Sequence, residues 1–162
     1  MELPDFTPSK IYPPAIILDV DGCAAEIGNR SPYDEAKVYS DTPRIFIIET
    51  VKAILKNNPD MRLFVFSGRT DGCRPDTVKW FHYKCGFNIL PEIVGGDVVL
   101  AMRKTGDRRR DSEVKRDLYN EFVKGKYNVF AVFDDRAQVI RELWAAENLP
   151  VFRCGVIDKD DF

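Results

Sequence analysis

Four times along this chain a continuous apolar run of strand length is followed by a stretch whose apolar residues recur at helical spacing. No other feature constrains the fold as much. The runs are Ala15–Val20, Met61–Ser67, Val98–Met102 and Asn128–Phe133, and Pro150–Cys154 reads as a last strand. Unbroken apolar runs predict strands buried on both faces. Between them, helices are expected from Thr42–Pro43 through Ile45, Ile48, Val51 and Leu55, then over 74–85, 111–123 and 138–147. Thr42 reads as an N-cap and Pro43 as a first-turn proline. Strands alternating with amphipathic helices predict an α/β fold, a largely parallel sheet covered on both faces. The stretch 21–41, rich in Gly, Asn, Ser, Pro and charge, reads as an irregular loop or small hairpin.

With 162 residues, one domain with a single core is expected over 1–162, residues 1–13 forming a short N-terminal tail. No apolar run approaches the ~20 residues of a membrane span, and the N-terminus lacks the pattern of a secretory signal. A cytoplasmic location and no membrane partner are therefore expected. The four cysteines, Cys23, Cys73, Cys85 and Cys154, form no C-x-x-C pair, and the single histidine is His82. That excludes an ordinary zinc site and reads as free thiols. A net charge of -2 gives no global attraction to polyanions, so any such partner must be held by a local patch.

In parallel sheets, ligands bind at the carboxyl ends of the strands. There the chain places Asp19 and Asp21, then Ser67, then Asp134 and Asp135, with Lys115 in the first turns of a helix opening toward the same face. Carboxylates gathered at one edge repel each other unless a cation sits among them, and Mg2+ suits a few carboxylates plus water. A carboxylate so placed can act as a covalent nucleophile toward phosphorus. The spread negative charge of the transition state is then met by positioning, metal and cationic side chains. Taken singly, each element reads as an ordinary solvated loop, turn or helix cap. Their order and placement carry the reading.

Asp19-Val-Asp-Gly22, Ser67-Gly-Arg69, Lys115 and Asp134-Asp135 together resemble the four motifs of the haloacid dehalogenase (HAD) superfamily of phosphatases. The resemblance implies a Rossmann-like sheet. It also implies Asp19 as nucleophile, Asp21 as general acid and then base, and Ser67 and Lys115 as holders of the phosphoryl group. Mg2+ would be bound by Asp19, Asp21 through its main-chain carbonyl, Asp134 and Asp135. One departure is Cys23, where the superfamily usually has threonine after the glycine.

Two further features bear on substrate. Only 48 residues separate Asp19 from Ser67, and 48 separate Ser67 from Lys115, which leaves no room for a large cap domain and predicts an open site. Residues 103–116 hold seven basic side chains against three acidic ones, a local excess next to Lys115 that suits a phosphate backbone. The segments 28–34, 106–115 and 134–139 and the terminal Asp161-Phe162 resemble the 3'-phosphatase domain of phage polynucleotide kinase/phosphatase enzymes. By that resemblance Arg30, Gly68, Arg69 and Asp111 join the site. The arginines would contact phosphate, and Asp111 would orient a base or Lys115. The basic Arg108, Arg109 and Arg110 and the aromatic Tyr33 complete the expected substrate contacts. Trp80 and Phe81 read as core residues and His82 as structural or exposed.

The implied reaction removes a 3'-terminal phosphate from DNA or RNA. The chain holds no G-x-x-x-x-G-K-[ST] segment, so 5' phosphorylation would fall to a separate kinase, with a ligase as a further expected partner. A phosphatase acting on small nucleotides or sugar phosphates is the nearest alternative. A receiver-type phosphoacceptor domain is a remote one, since its acid pair precedes the phosphorylated aspartate.

Overall fold

The computed structural model describes residues 12–89 and 98–155. Residues 1–11 of the expected tail and the Asp161-Phe162 terminus lie outside them. The strands are β1 (Pro14–Asp19), β2 (Ala25–Glu26), β3 (Thr42–Pro43), β4 (Arg62–Thr70), β5 (Val98–Arg103), β6 (Asn128–Asp134) and β7 (Val151–Arg153). The helices are α1 (Ile45–Asn57), α2 (Arg74–Trp80), α3 (Asp111–Phe122) and α4 (Ala137–Val139). α2 runs on into a wide π turn, Phe81–Cys85, and α4 into another, Ile140–Trp144.

Five strands form one sheet in the order β5-β4-β1-β6-β7, and every pairing in it is parallel. The chain moves outward from β1 through β4 to β5, then crosses back to lay β6 and β7 on the other side. β1 therefore stands at the switch point of the sheet, where crossovers diverge and leave a crevice at the strand ends.

Side chains alternate across the strands, as a two-residue period requires. Ile16, Leu18, Leu63, Val65, Ala131 and Phe133 pack on one face with Ile48 and Val51 of α1 and with Trp80 and Phe81. Ala15, Ile17, Phe64, Phe66 and Val132 pack on the other with Tyr119, Val123, Leu143 and Trp144. Both faces are buried, which is why the strand sequences are apolar over most of their length. Trp80 and Phe81 are fully buried, while His82 is exposed. All four cysteines are free and buried.

The start of α1 differs from the sequence reading. Thr42 and Pro43 are not its cap but β3, which pairs antiparallel with β2. Arg44 precedes the helix, and its N–H donates to the Ala24 carbonyl at 2.9 Å. Pairing with the loop after β1 satisfies backbone groups that a capped helix would have left to the Thr42 hydroxyl. Ile45 accordingly falls outside the buried stripe and is half exposed.

Among the described residues no inserted cap domain interrupts the sheet. None of their helices is long and apolar enough to cross a membrane.

Candidate active site

The loop that follows β1 is a compact turn. The N–H groups of Ala24 and Ala25 return to the carbonyls of Asp19 and Val20, and the Gly22 N–H donates to Ala25. Gly22 has φ +88°, and a Cβ there would lie 2.1 Å from an Asp135 carboxylate oxygen. Only glycine allows the loops after β1 and β6 to approach this closely.

Asp19, the last residue of β1, is buried, and so are Asp134 at the end of β6 and Lys115 in the second turn of α3. The Lys115 ammonium donates to Asp19 Oδ1 at 2.6 Å and to Asp134 Oδ2 at 2.9 Å, and stands 3.4 Å from Asp111 Oδ2. Trp144 Nε1 holds the same Asp134 oxygen at 2.9 Å, and the Arg136 N–H holds the other at 3.1 Å.

One ammonium thus faces several carboxylates. Burial alone would lower the Lys115 pKa, but Asp19, Asp134 and Asp111 outweigh it and hold the group well above the ordinary lysine value. Burial likewise pushes the Asp19 carboxyl well above its usual range. Lys115 opposes that shift, and the charges of Asp134 and Asp135 reinforce it. Asp135 is raised by burial first and then by Asp134. Ligand oxygens of Asp19, Asp134 and Asp135 lie within 4.8 Å of one another. An all-carboxylate set, buried at Asp19 and Asp134 and half-buried at Asp135, with unbalanced negative charge fits a hard divalent cation such as Mg2+.

A second ionic cluster lies beside the first. The Arg30 guanidinium donates to both oxygens of Asp41, at 2.7 and 2.6 Å. Arg69 donates from Nη2 to Asp41 Oδ2 at 2.7 Å, and from Nε to both oxygens of Asp21 at 3.0 Å. Arg30 also reaches Asp21, at 3.5 Å. Two cations and two carboxylates balance here, and Asp41 is 1% exposed. Asp41 was not singled out in the sequence, where it ends a loop full of polar residues. Its main-chain carbonyl also accepts from Trp80 Nε1 at 2.8 Å, which ties the cluster to the core.

Ser67 is fully buried within β4, three residues before its end, and accepts the Arg69 N–H at 3.1 Å. The register of β4 against β5 breaks between Ser67 and Thr70, an irregularity that re-aims Arg69 toward Asp21. A Cβ on Gly68 would sit 2.5 Å from Asp111 Oδ1, so any larger residue at this point of β4 would have to push that carboxylate aside. Arg103, read in the sequence only as part of the basic run, is a brace. It donates to the carbonyls of Gly68 and Arg109 at 2.8 Å and to Asp111 Oδ1 at 3.2 Å. That Arg103 is fixed in this way could not be told from a charge run.

These groups open into a groove of about 840 Å³ lined by Asp19, Asp21, Arg69, Lys115 and Asp135 at its base and by Arg108, Arg109, Arg110 and Tyr33 on its walls. Tyr33 is 94% exposed. Arg109 is engaged by Asp107 and Asp117, and Arg110 by Glu142. Arg30 sits behind the wall, on Asp41. Of the sequence-predicted site residues, Asp19, Asp21, Tyr33, Gly68, Arg69, Arg108, Arg109, Arg110, Asp111, Lys115 and Asp135 line the groove, whereas Arg30, Ser67 and Asp134 are buried and do not.

The family model described as the polynucleotide kinase PNKP phosphatase domain matches residues 13–162. A protein of Autographa californica nuclear polyhedrosis virus, provisionally described as a bifunctional polynucleotide kinase/RNA ligase, is 36% identical over 140 residues. These are 86% of this chain and 19% of that one. Among solved structures, a Pnkp1/Rnl/Hen1 complex matches with TM-score 0.80 and 27% identity over 97% of this chain and 51% of that chain. A class C acid phosphatase from Bacillus anthracis shares the fold, with TM-score 0.51 and 15% identity over 90% of this chain and 67% of that one. The chain thus spans a fifth of the viral relative and about half of the first structural match.

Proposed function

Because the chain belongs to the family of polynucleotide kinase PNKP phosphatase domains, we propose that it is a Mg2+-dependent polynucleotide 3'-phosphatase that works through an aspartyl-phosphate. The observation that carries this reading is the buried Asp19–Lys115–Asp134 contact at the switch point of the sheet, opening on a groove with arginines on its wall. The relative with kinase/ligase chemistry and the matching RNA repair complex support a role in mending nucleic-acid ends.

In this reading Asp19 attacks phosphorus and the bond to the 3' oxygen breaks. Asp21 gives that oxygen a proton, leaving a 3' hydroxyl on the strand. Asp21 then takes a proton from water, whose oxygen attacks the phosphoryl group on Asp19 and frees inorganic phosphate. Lys115 and Ser67 stabilise the equatorial oxygens, and Arg69, which lines the groove, adds a second cationic contact. Arg30 supports Asp21 and Asp41 from behind. Asp111, held by Arg103, positions Lys115. Asp19, Asp134, Asp135 and the Asp21 main-chain carbonyl would hold Mg2+, which when bound offsets the clustered negative charge. Tyr33 would stack on a base, and Arg108 to Arg110 would follow the phosphate backbone.

The decisive experiment is phosphate release, with Mg2+ and with chelator. The substrates are a 3'-phosphorylated oligonucleotide, its 5'-phosphorylated counterpart and a 3'-mononucleotide. Mg2+-dependent release from the 3' end of the oligonucleotide, well above the other two, is expected. Equal or faster release from the mononucleotide would leave a small-molecule phosphatase in its place.

A further inference from the structure

The groove wall formed by the loop between β5 and α3 carries three consecutive arginines, and their surroundings differ. Arg109 donates from Nε to both oxygens of Asp107, at 3.1 and 3.2 Å, and from Nη1 to Asp117 at 2.9 Å. Arg110 pairs with Glu142 at 3.4 Å. Arg108 is exposed, lines the groove and has no carboxylate partner among the described residues. A phosphate drawn to Arg109 or Arg110 must displace their acids and then lie beside them, where like charge repels it. Arg108 sets no such condition. Its fork can meet a phosphodiester directly.

The side chain is free, but the backbone that carries it is fixed. Asp71 accepts the Thr105 N–H at 2.9 Å and the Thr105 hydroxyl at 2.6 Å, which ties the loop to the end of β4. Asp107 accepts the Arg109 N–H at 3.0 Å, so the backbone is held on either side of Arg108. Arg103 joins the Arg109 carbonyl to the Gly68 carbonyl and to Asp111, and Asp111 stands 3.4 Å from the Lys115 ammonium. The loop is therefore anchored to the floor of the site. Binding has only one side chain left to order, which keeps its cost small.

The supply of uncompensated cations on this wall bears on substrate length. In the reading above, Arg69 and Lys115 serve the terminal phosphoryl group. Beyond them the loop offers one uncommitted guanidinium, enough for one further phosphate. A 3'-mononucleotide has no second phosphate to present to it, whereas a dinucleotide 3'-phosphate has one.

Resting on the 3'-phosphatase reading, we propose that Arg108 makes the principal backbone contact of this run, on the internucleotide phosphate nearest the 3' end. The recognised unit is then a dinucleotide 3'-phosphate, whatever strand continues beyond it. Arg109 and Arg110 serve mainly to hold the wall.

The test measures kcat/KM for phosphate release from a 3'-mononucleotide, a dinucleotide 3'-phosphate and a longer 3'-phosphorylated single strand. In the wild type, the step from one nucleotide to two should raise kcat/KM about tenfold, the scale of one charge-assisted contact. Further lengthening should add far less. R108Q should remove most of the dinucleotide-to-mononucleotide ratio through KM, and R108K should restore part of it. R109Q and R110Q should each lower that ratio less than R108Q does. K104Q, at an exposed lysine of the same loop outside the groove lining, should leave it unmoved. Single-strand binding by the inactive D19N protein should lose about 0.7 units of salt slope when R108Q is added. An unmoved ratio in R108Q, an equal or larger loss in R109Q or R110Q, or a gain spread evenly over strand length overturns the proposal. Absence of release from both oligonucleotides by the wild type, with a small phosphate ester still cleaved, would instead sink the 3'-phosphatase reading itself.

Discussion

Two buried ionic clusters lie side by side at the strand ends, and they differ in charge balance. Around Lys115, a single ammonium meets Asp19 and Asp134, with Asp135 close by, while Asp111 is shared with Arg103 and Arg136. Around Asp41, two guanidiniums meet two carboxylates. The balanced cluster is complete as it stands and can serve as a frame, since paired buried charges hold geometry at a desolvation cost already met by their partners. The unbalanced one has excess negative charge held in place by burial, the condition for taking up a cation and for pushing carboxylate chemistry forward. Function and support are thus divided between neighbours joined through Asp21, which belongs to the frame by its contacts and to the groove by its exposure.

Removing the reactive member of the unbalanced cluster gives the largest effect. D19N should lower turnover at least about 10⁴-fold, since a lost nucleophile is rarely replaced. Its thermal midpoint without metal should not fall, because one repelling carboxylate is gone. Single-turnover kinetics with the midpoint measured alongside checks both. Substantial remaining turnover would move the nucleophile elsewhere.

Breaking the balanced cluster should act on the fold first. D41N strips two buried arginines of their shared partner and is expected to cost about 3 to 5 kcal/mol, measured by denaturant unfolding. A loss under 1 kcal/mol would show that Arg30 and Arg69 find other acceptors, and the frame would then lie elsewhere.

The charge imbalance itself is testable by adding the missing cation. At a concentration 100 times the dissociation constant, Mg2+ should stabilise the protein by about 2.7 kcal/mol. D135N should weaken Mg2+ binding, and D41N should leave the metal-linked increment in place. Equal Mg2+ stabilisation of wild type and D135N would take Asp135 out of the metal set.

The smallest expected effect comes from the rim, where neither kind of cluster operates. Replacing Arg108, Arg109 and Arg110 by alanine should weaken oligonucleotide use and reduce the salt slope by up to about 2 units for a single strand. Cleavage of a small ester should change far less. Equal losses on both substrates would assign the run to the chemistry or to the start of α3.

Much of this was legible in the sequence because it depends on local periodicity and on residues at strand ends. The β1, β4 and β6 runs and their terminal Asp19, Ser67 and Asp134 could be read directly, since a strand buried on both faces has no polar residue until it leaves the core. Glycine at 22 and 68 was visible, though its reason, the approach of Asp135 and Asp111, was not. Asp41 and the bracing role of Arg103 escaped notice for a common reason. Each residue sits in a charged or polar stretch, where a buried partner and a solvated side chain look alike. Thr42-Pro43 misled because the same two residues satisfy a helix start and an edge-strand pairing, and only contact with Ala25 and Glu26 chooses between them.

The sequence by itself determined the order of strands and helices, the carboxylates at the strand ends and the lysine facing them, because these follow from period and composition along the chain. Tertiary structure alone decided which charges pair. Asp41 meets an arginine 11 residues before it and another 28 after it, and Lys115 meets a carboxylate 96 residues away. Charge pairing depends on distance in space and on exclusion of water, and neither is written in the spacing of residues along a chain.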